Sequence, residues 1–274
     1  MEKDIRKVQL LQLKIAKEIK RICEENDIKY FLMAGSLLGA VRHGGFIPWD
    51  DDMDIGMERG EYEKFLKAVE RDLSPEFYMQ TWEKEEHYAY PFGKLMLRDT
   101  VWLEELARDV DITHGVYVDI FPYDAIPNGE KDREQQNKKH IFYRQLLLAI
   151  NKYDAFTYKK GFKKAVFAVL KMFSFLFSNN RIKEKYTKMI YSGHSENSTD
   201  YYAFGMPYSY SKGQMKKEWI ENLKPIAYED DMFLAPINTH DYLSYVYGDY
   251  MTPPPVEKRV NYHGIIKVDL GKYR

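Results

Sequence analysis

Ile5, Val8, Leu11, Ile15, Ile19 and Ile22 recur at three- and four-residue intervals with Lys and Glu between them. That spacing predicts an amphipathic helix over residues 3–25, closed by Asn26-Asp27. The apolar run from Ile28 to Ala34 predicts a buried strand. Gly35-Ser36 then turns the chain into a short helix, Leu37 to Arg42, which Gly44, Gly45 and Pro48 break. Met53, Ile55 and Met57 alternate with Asp52 and Asp54, which predicts a second strand from Asp52 to Met57. Tyr62, Phe65, Leu66 and Val69 share one face of a helix over Glu61 to Arg71. Phe77–Thr81, Lys94–Leu97 and Val116–Phe121 are further strand candidates, the last ending at Pro122.

From about Asn128 to Ser192 the pattern turns helical and rich in Lys, and from 200 onward it is rich in Tyr and Pro. Strands mixed with helices in this order predict an α/β (α+β) fold: a mixed core sheet flanked by helices. The expected organisation is a core over 1–128, a helical lobe over 129–199, and a segment 200–274 that folds back on the core. No internal repeat or low-complexity tract is present.

Composition narrows the chemistry. With 274 residues and a net charge of −1, the chain has room for a sizeable core and no broad basic surface for nucleic acid. The single cysteine, Cys23, rules out an internal disulfide and a Cys-based zinc site; its place on the apolar face of the first helix reads as a buried, inert thiol. The N-terminal residues lack a signal-peptide apolar run, and no segment is long enough to span a bilayer, so a cytoplasmic protein is expected. Residues 159–177 are basic at one end and very apolar after it. That is the ordinary composition of a packed lobe helix with solvated lysines; the alternative is peripheral contact with the inner face of the plasma membrane.

Candidate chemistry centres on residues 35–55, where four carboxylates fall in five positions, Asp50, Asp51, Asp52 and Asp54. Such a cluster repels itself unless a cation sits there. Asp52 and Asp54 on one face of a strand are the oxygen pair that Mg²⁺ or Mn²⁺ needs when it also holds substrate phosphates. A solvated acidic loop would not need the alternation of Met53, Ile55 and Met57. Asp50 and Asp51 read as orienting residues or caps, with Trp49 abutting them. Gly35-Ser36 after a strand can bring backbone N–H groups and a hydroxyl to a phosphate; alone it is an ordinary turn. Asp119 is a lone carboxylate in an apolar strand, costly unless paired or metal-bound. It is the candidate third carboxylate, as ligand or general base; the ordinary alternative is a surface position on an edge strand. Arg42, His43, Lys94, Arg98, Lys258, Arg259 and His263 are available to phosphates, with Arg42 and Arg259 favoured by context. None of His43, His114 and His263 has zinc-ligand spacing.

The run Gly35-Ser-Leu-Leu-Gly-Ala-Val-Arg-His-Gly-Gly-Phe-Ile-Pro-Trp-Asp-Asp-Asp-Met-Asp-Ile55 resembles the signature of the LicD/fukutin family, a branch of the nucleotidyltransferase superfamily. Asp119-Ile-Phe-Pro-Tyr-Asp124 and Tyr247 to Arg259, followed by His263, are similar to the same family. The likeness runs from about residue 10 to 265 and is thinnest over 130–200. The Ser36-to-Asp52 spacing is slightly long for the generic superfamily pattern.

The resemblance implies a nucleotidyltransferase-like core and a metal-dependent transferase. The implied reaction moves a phospho-alcohol from a CDP-activated donor, phosphocholine from CDP-choline foremost, onto a sugar hydroxyl of a surface glycan such as teichoic acid, lipopolysaccharide or capsule. By carry-over Asp52, Asp54 and Asp119 hold Mg²⁺ or Mn²⁺, and Gly35 and Ser36, with Arg42 and Arg259, meet the donor phosphates. A choline ammonium would call for an aromatic box, for which Trp49, Trp102, Tyr117, Tyr123 and the tail tyrosines are available. Two other functions share the same residues: nucleotidyl transfer onto a small molecule or protein, and a catalytically silent binding protein on this fold.

Overall fold

The structure, a computed structural model, describes residues 2–155, 161–195, 197–206, 210–259 and 264–274. Helix α1 (Glu2–Glu25) turns Val8, Leu11, Ile15, Ile19 and Ile22 into the core, as the periodicity predicts. Asp27 then adopts a left-handed conformation and the Ile28 N–H returns to the Cys23 carbonyl. Cys23 is buried and its thiol pKa is pushed up by burial, as an inert residue requires.

The next stretch differs from expectation. Strand β1 is only Phe31–Leu32, and helix α2 (Ala34–His43) begins early, so Gly35 and Ser36 lie in its first turn. Strand β2 (Asp54–Glu58) starts two residues later than predicted, leaving Asp52 in the preceding loop. The loop still alternates: Asp51, Met53 and Ile55 are buried, and Asp52 and Asp54 half-buried.

Helix α3 (Arg59–Asp72), β3 (Phe77–Gln80) and β4 (Gly93–Leu97) follow closely on prediction. Strand β5 (Val101–Glu104) was not foreseen; among the described residues its partner is the C-terminal β11, with Ile265 opposite Glu104 and Asp269 opposite Val101, so no local pattern announces it. Strand β6 (Tyr117–Ala125) runs through Pro122 instead of stopping there. The Asp119 N–H points to β2, at 3.0 Å from the Met53 carbonyl. By alternation position 122 points to the opposite edge, where pairing with β4 ends at Ile120 and pairing with the next strand begins at Tyr123. The missing proline N–H falls in that gap and costs no ladder bond.

The lobe consists of α4 (Glu130–Ile150), α5 (Phe162–Phe173) with a 3-10 turn at Ser174–Leu176, and α6 (Asn179–Tyr191). The chain returns through β7 (Asp200–Ala203), α7 (Tyr210–Gly213), β8 (Gln214–Lys216) and α8 (Lys217–Glu221). The hairpin β9 (Leu223–Tyr228) and β10 (Asp231–Pro236), α9 (Thr239–Tyr247) and β11 (Ile265–Asp269) complete it. The main sheet has the order β1-β2-β6-β4-β3, with β7 on the distal half of β6 and β8 beyond it; β2 and β6 are parallel and the other pairs antiparallel. This is the mixed sheet flanked by helices that the sequence predicts. One hydrophobic cluster lies around this sheet, and a second, with Leu146, Phe167, Tyr186 and Phe204 at its centre, joins the lobe to the returning chain.

Candidate active site

Parallel pairing of β2 with β6 sets Asp54 opposite Asp119, and antiparallel pairing of β6 with β4 sets Asp119 opposite Lys94. The three therefore form one row across adjacent strands, on the face opposite the fully buried Ile55, Val118, Ile120 and Leu95. Lys94 Nζ stands 3.3 Å from Asp119 Oδ1 and 3.8 Å from Glu104 Oε1, and 3.3 Å from the centroid of the Tyr117 ring. The Tyr117 hydroxyl donates to Glu104. Asp119 Oδ1 is buried and, despite the ion pair, has no partner in hydrogen-bonding geometry. Burial raises the Asp119 pKa to about 6, with Lys94 pulling it down and Glu104 and Asp52 pushing it up.

The loop ahead of β2 supplies the other carboxylates. Asp50, Asp51 and Asp52 bring carboxylate oxygens within 4.8 Å of one another, the only such acidic or imidazole cluster among the described residues. Asp54 and Asp119 lie outside that cluster. Two amides of α1 hold the loop: Gln9 Nε2 donates to the carbonyls of Ile47 (3.1 Å) and Asp50 (2.8 Å), and Gln12 Nε2 to that of Asp51 (2.7 Å). The sequence reading passed over both glutamines, although two polar residues on the apolar stripe of a helix were a signal that something buried needed donors.

Ser36 does something other than wait for a phosphate. Its buried hydroxyl accepts the Asp54 N–H at 2.8 Å, tying the start of α2 to the start of β2. Gly35 lies against Asp50: a Cβ there would come 3.0 Å from Asp50 Oδ2, so glycine is what lets that carboxylate approach the helix. Ala34, ahead of it, is left-handed at φ 45°, and its N–H donates to the Tyr242 hydroxyl at 3.1 Å.

Trp49 gathers the basic residues. His43 meets its ring edge-on at 5.8 Å and the Arg259 guanidinium lies over it at 4.9 Å. Arg42 donates to the Tyr250 carbonyl at 2.8 Å and to His43 at 3.0 Å, and Arg259 to the Pro254 carbonyl at 2.9 Å. The pKa of Arg42 is lowered by burial and by Arg259, and that of His43 by burial and by both arginines. Among the described residues neither arginine has a carboxylate within ion-pair distance, so two mutually repelling cations converge beside the acidic loop. Arg98 is elsewhere, donating to the Phe77 carbonyl. His263 lies outside the described residues.

A pocket opens beside Asp119 and Lys94, lined by Tyr88, Tyr90, Trp102, Tyr117 and Tyr153, with Glu104 at its edge. Burial raises the pKa of Tyr88, Tyr117 and Tyr153, keeping these phenols protonated. The buried hydroxyls of Tyr88 and Tyr153 have no hydrogen-bond partner. Trp102 and Tyr117 were anticipated; Trp49 belongs to the arginine cluster instead, and Tyr123 is a core residue against Phe31. Tyr88, Tyr90 and Tyr153 were missed because they come from a loop and from the turn that follows α4.

A sequence model of the family described as "LicD/FKTN/FKRP, nucleotidyltransferase domain" matches residues 27–149. The "Lipopolysaccharide cholinephosphotransferase LicD" of Haemophilus influenzae is 30% identical over 264 residues, covering 94% of this chain and 96% of that protein. The "Ribitol 5-phosphate transferase FKRP" of Homo sapiens is 30% identical over 117 residues, 35% of this chain and 23% of that protein.

Proposed function

The chain belongs to the LicD/FKTN/FKRP nucleotidyltransferase-domain family, and on that premise we propose that it transfers a phospho-alcohol onto a cell-surface glycan, using phosphocholine from CDP-choline. The observation that carries the reading is the in-register row Asp54–Asp119–Lys94, with Asp50, Asp51 and Asp52 at one side and an aromatic pocket at the other. The crowded loop carboxylates, and an Asp119 Oδ1 with Lys94 as its one neighbour and no good hydrogen bond, support a divalent cation at Asp52, Asp54 and Asp119, with Asp50 and Asp51 beside them. When bound, Mg²⁺ or Mn²⁺ would neutralise charge on the donor phosphates.

The chain's own residues do the rest. Arg42 and Arg259 clamp the donor pyrophosphate, and the first turn of α2 at Gly35 adds backbone N–H groups. The acceptor hydroxyl oxygen attacks the β-phosphorus, its bond to the CMP oxygen breaks, and CMP leaves. Asp119 is the candidate to take the acceptor proton where Asp52 and Asp54 alone hold the cation. Lys94 stands beside the reacting centre, over the Tyr117 ring and beside Glu104, and the aromatic wall of Tyr88, Tyr90, Trp102 and Tyr153 is where the quaternary ammonium would lie.

The test is CMP release from CDP-choline, CDP-ribitol and CDP-glycerol with Mg²⁺ and a panel of glycan acceptors, repeated in EDTA. CMP release with CDP-choline that stops in EDTA and in Asp52→Asn or Asp54→Asn is expected. Nucleotide left on the acceptor would replace the reading with nucleotidyl transfer. Full activity in chelator would remove the metal from it.

A further inference from the structure

Helix α5 and the turn after it are apolar on both sides. The inner side is accounted for: Phe167 is buried in the second cluster and Leu170 packs against it. The outer side is where an ordinary lobe helix carries its polar residues. Here it carries Val169, Met172 and Phe173, and the turn adds Phe175 and Leu176, the last two 79% and 65% exposed. Helix α4, in contact with α5 and the turn, adds exposed Ile141 and Phe142. Exposed large apolar side chains gathered on neighbouring elements of a protein surface mark a docking site.

Charge identifies the occupant. From Ala155 to Ile182 the sequence holds six Lys or Arg and no Asp or Glu, in a chain whose net charge is −1. Lys164 and Lys171 are exposed on α5 itself. A second copy of the chain meeting this face about a twofold axis would set lysine against lysine. An anionic bilayer offers both requirements at once: acyl chains for Phe175 and Leu176, and negative headgroups for the lysines. No helix among the described residues is long and apolar enough to cross a membrane, which leaves α5 to lie in the interface.

We propose that α5 and the Ser174–Leu176 turn dock the protein onto an anionic lipid surface. The inference is independent of the reaction assigned above, and its readout is binding. The full-length protein is sedimented with vesicles of phosphatidylcholine doped with phosphatidylglycerol, and with phosphatidylcholine alone. Expected is binding to the anionic vesicles, weakened by salt, and reduced at least about tenfold by the double variant Phe175→Ser/Leu176→Ser. Lys164→Glu should give a smaller reduction. All these side chains are exposed, so circular dichroism and melting temperature should be unchanged. The proposal is overturned by absence of vesicle binding, by equal binding to neutral vesicles, or by binding that ignores the variants. A wild-type dimer that the same double variant splits, without vesicle binding, would assign the face to a second copy instead.

Discussion

Strand β6 carries a buried carboxylate near each end, and the two are kept in opposite conditions. Asp124 is paired at both oxygens: Arg59 Nε and Nη2 reach Oδ1 and Oδ2 at 2.7 Å each. The guanidinium also lies near the rings of Tyr62 and Tyr191. Asp119 has only a lysine at 3.3 Å from its buried Oδ1, in poor hydrogen-bonding geometry and shared with a second acid behind it. Both pKa values are raised, burial being the first cause, and Arg59 pulls Asp124 back as Lys94 does Asp119. The difference lies in satisfaction. A bidentate pair closes the electrostatics of one end and makes it structural, while the other end is left able to accept something.

That contrast is open to breakage at both ends. The largest effect is expected from Asp124→Asn, which strands the Arg59 guanidinium; chemical denaturation should show a loss of about 3–5 kcal/mol. Asp119→Asn should do the reverse, leaving the denaturation midpoint unchanged or raised while turnover falls about a hundred- to a thousandfold. If Asp119→Asn unfolds the protein and Asp124→Asn does not, the assignment of roles is inverted.

pH sharpens the comparison with a smaller signal. In chelator, native Asp119 holds its proton up to about pH 6, while the unfolded chain releases it near 3.8. Between those values the native state binds more protons at this group, so the stability Asp119 contributes is greatest below about pH 4 and is lost as pH rises to about 6. The loss is at most about 3 kcal/mol. The difference in denaturation midpoint between the wild type and Asp119→Asn, measured across that range, should change with pH in the direction of that loss, and a constant difference would refute it. The smallest effect is expected from replacing both members of the satisfied pair, Arg59→Met with Asp124→Leu. Stability within about 1–2 kcal/mol of wild type would show that Asp124 is needed only because Arg59 is there.

Legibility in the sequence followed how local each constraint was. Asp52, Asp54 and Asp119 stand out in the sequence because a carboxylate among alternating or continuous apolar residues is anomalous on its own. Lys94 was found as a basic residue in a strand-like run, but its place opposite Asp119 depends on which strand lies beside β6. Ser36 was assigned a ligand's role because a hydroxyl after a strand suggests one; its bond to the Asp54 N–H appears only when the two elements meet. Composition left residues 159–177 open between a packed helix and a membrane-contacting one, and it is the burial of Phe167 that shows which side of α5 packs and which stays apolar and exposed.

The sequence by itself determined α1, α3, the alternation that sets Asp52 and Asp54 apart from Met53 and Ile55, and the family motifs from Gly35 to Ile55 and Asp119 to Asp124. These are written in periodicities of two and 3.6 residues and in short runs, which each segment carries alone. Tertiary structure alone decided that Gln9 and Gln12 pin the carboxylate loop, that Arg42 and Arg259 meet around Trp49, that β5 pairs with β11, and that Tyr88, Trp102 and Tyr153 share one pocket. Those contacts join positions tens to hundreds of residues apart, and they exist because the sheet's strand order brings their elements together, not because any one segment encodes them.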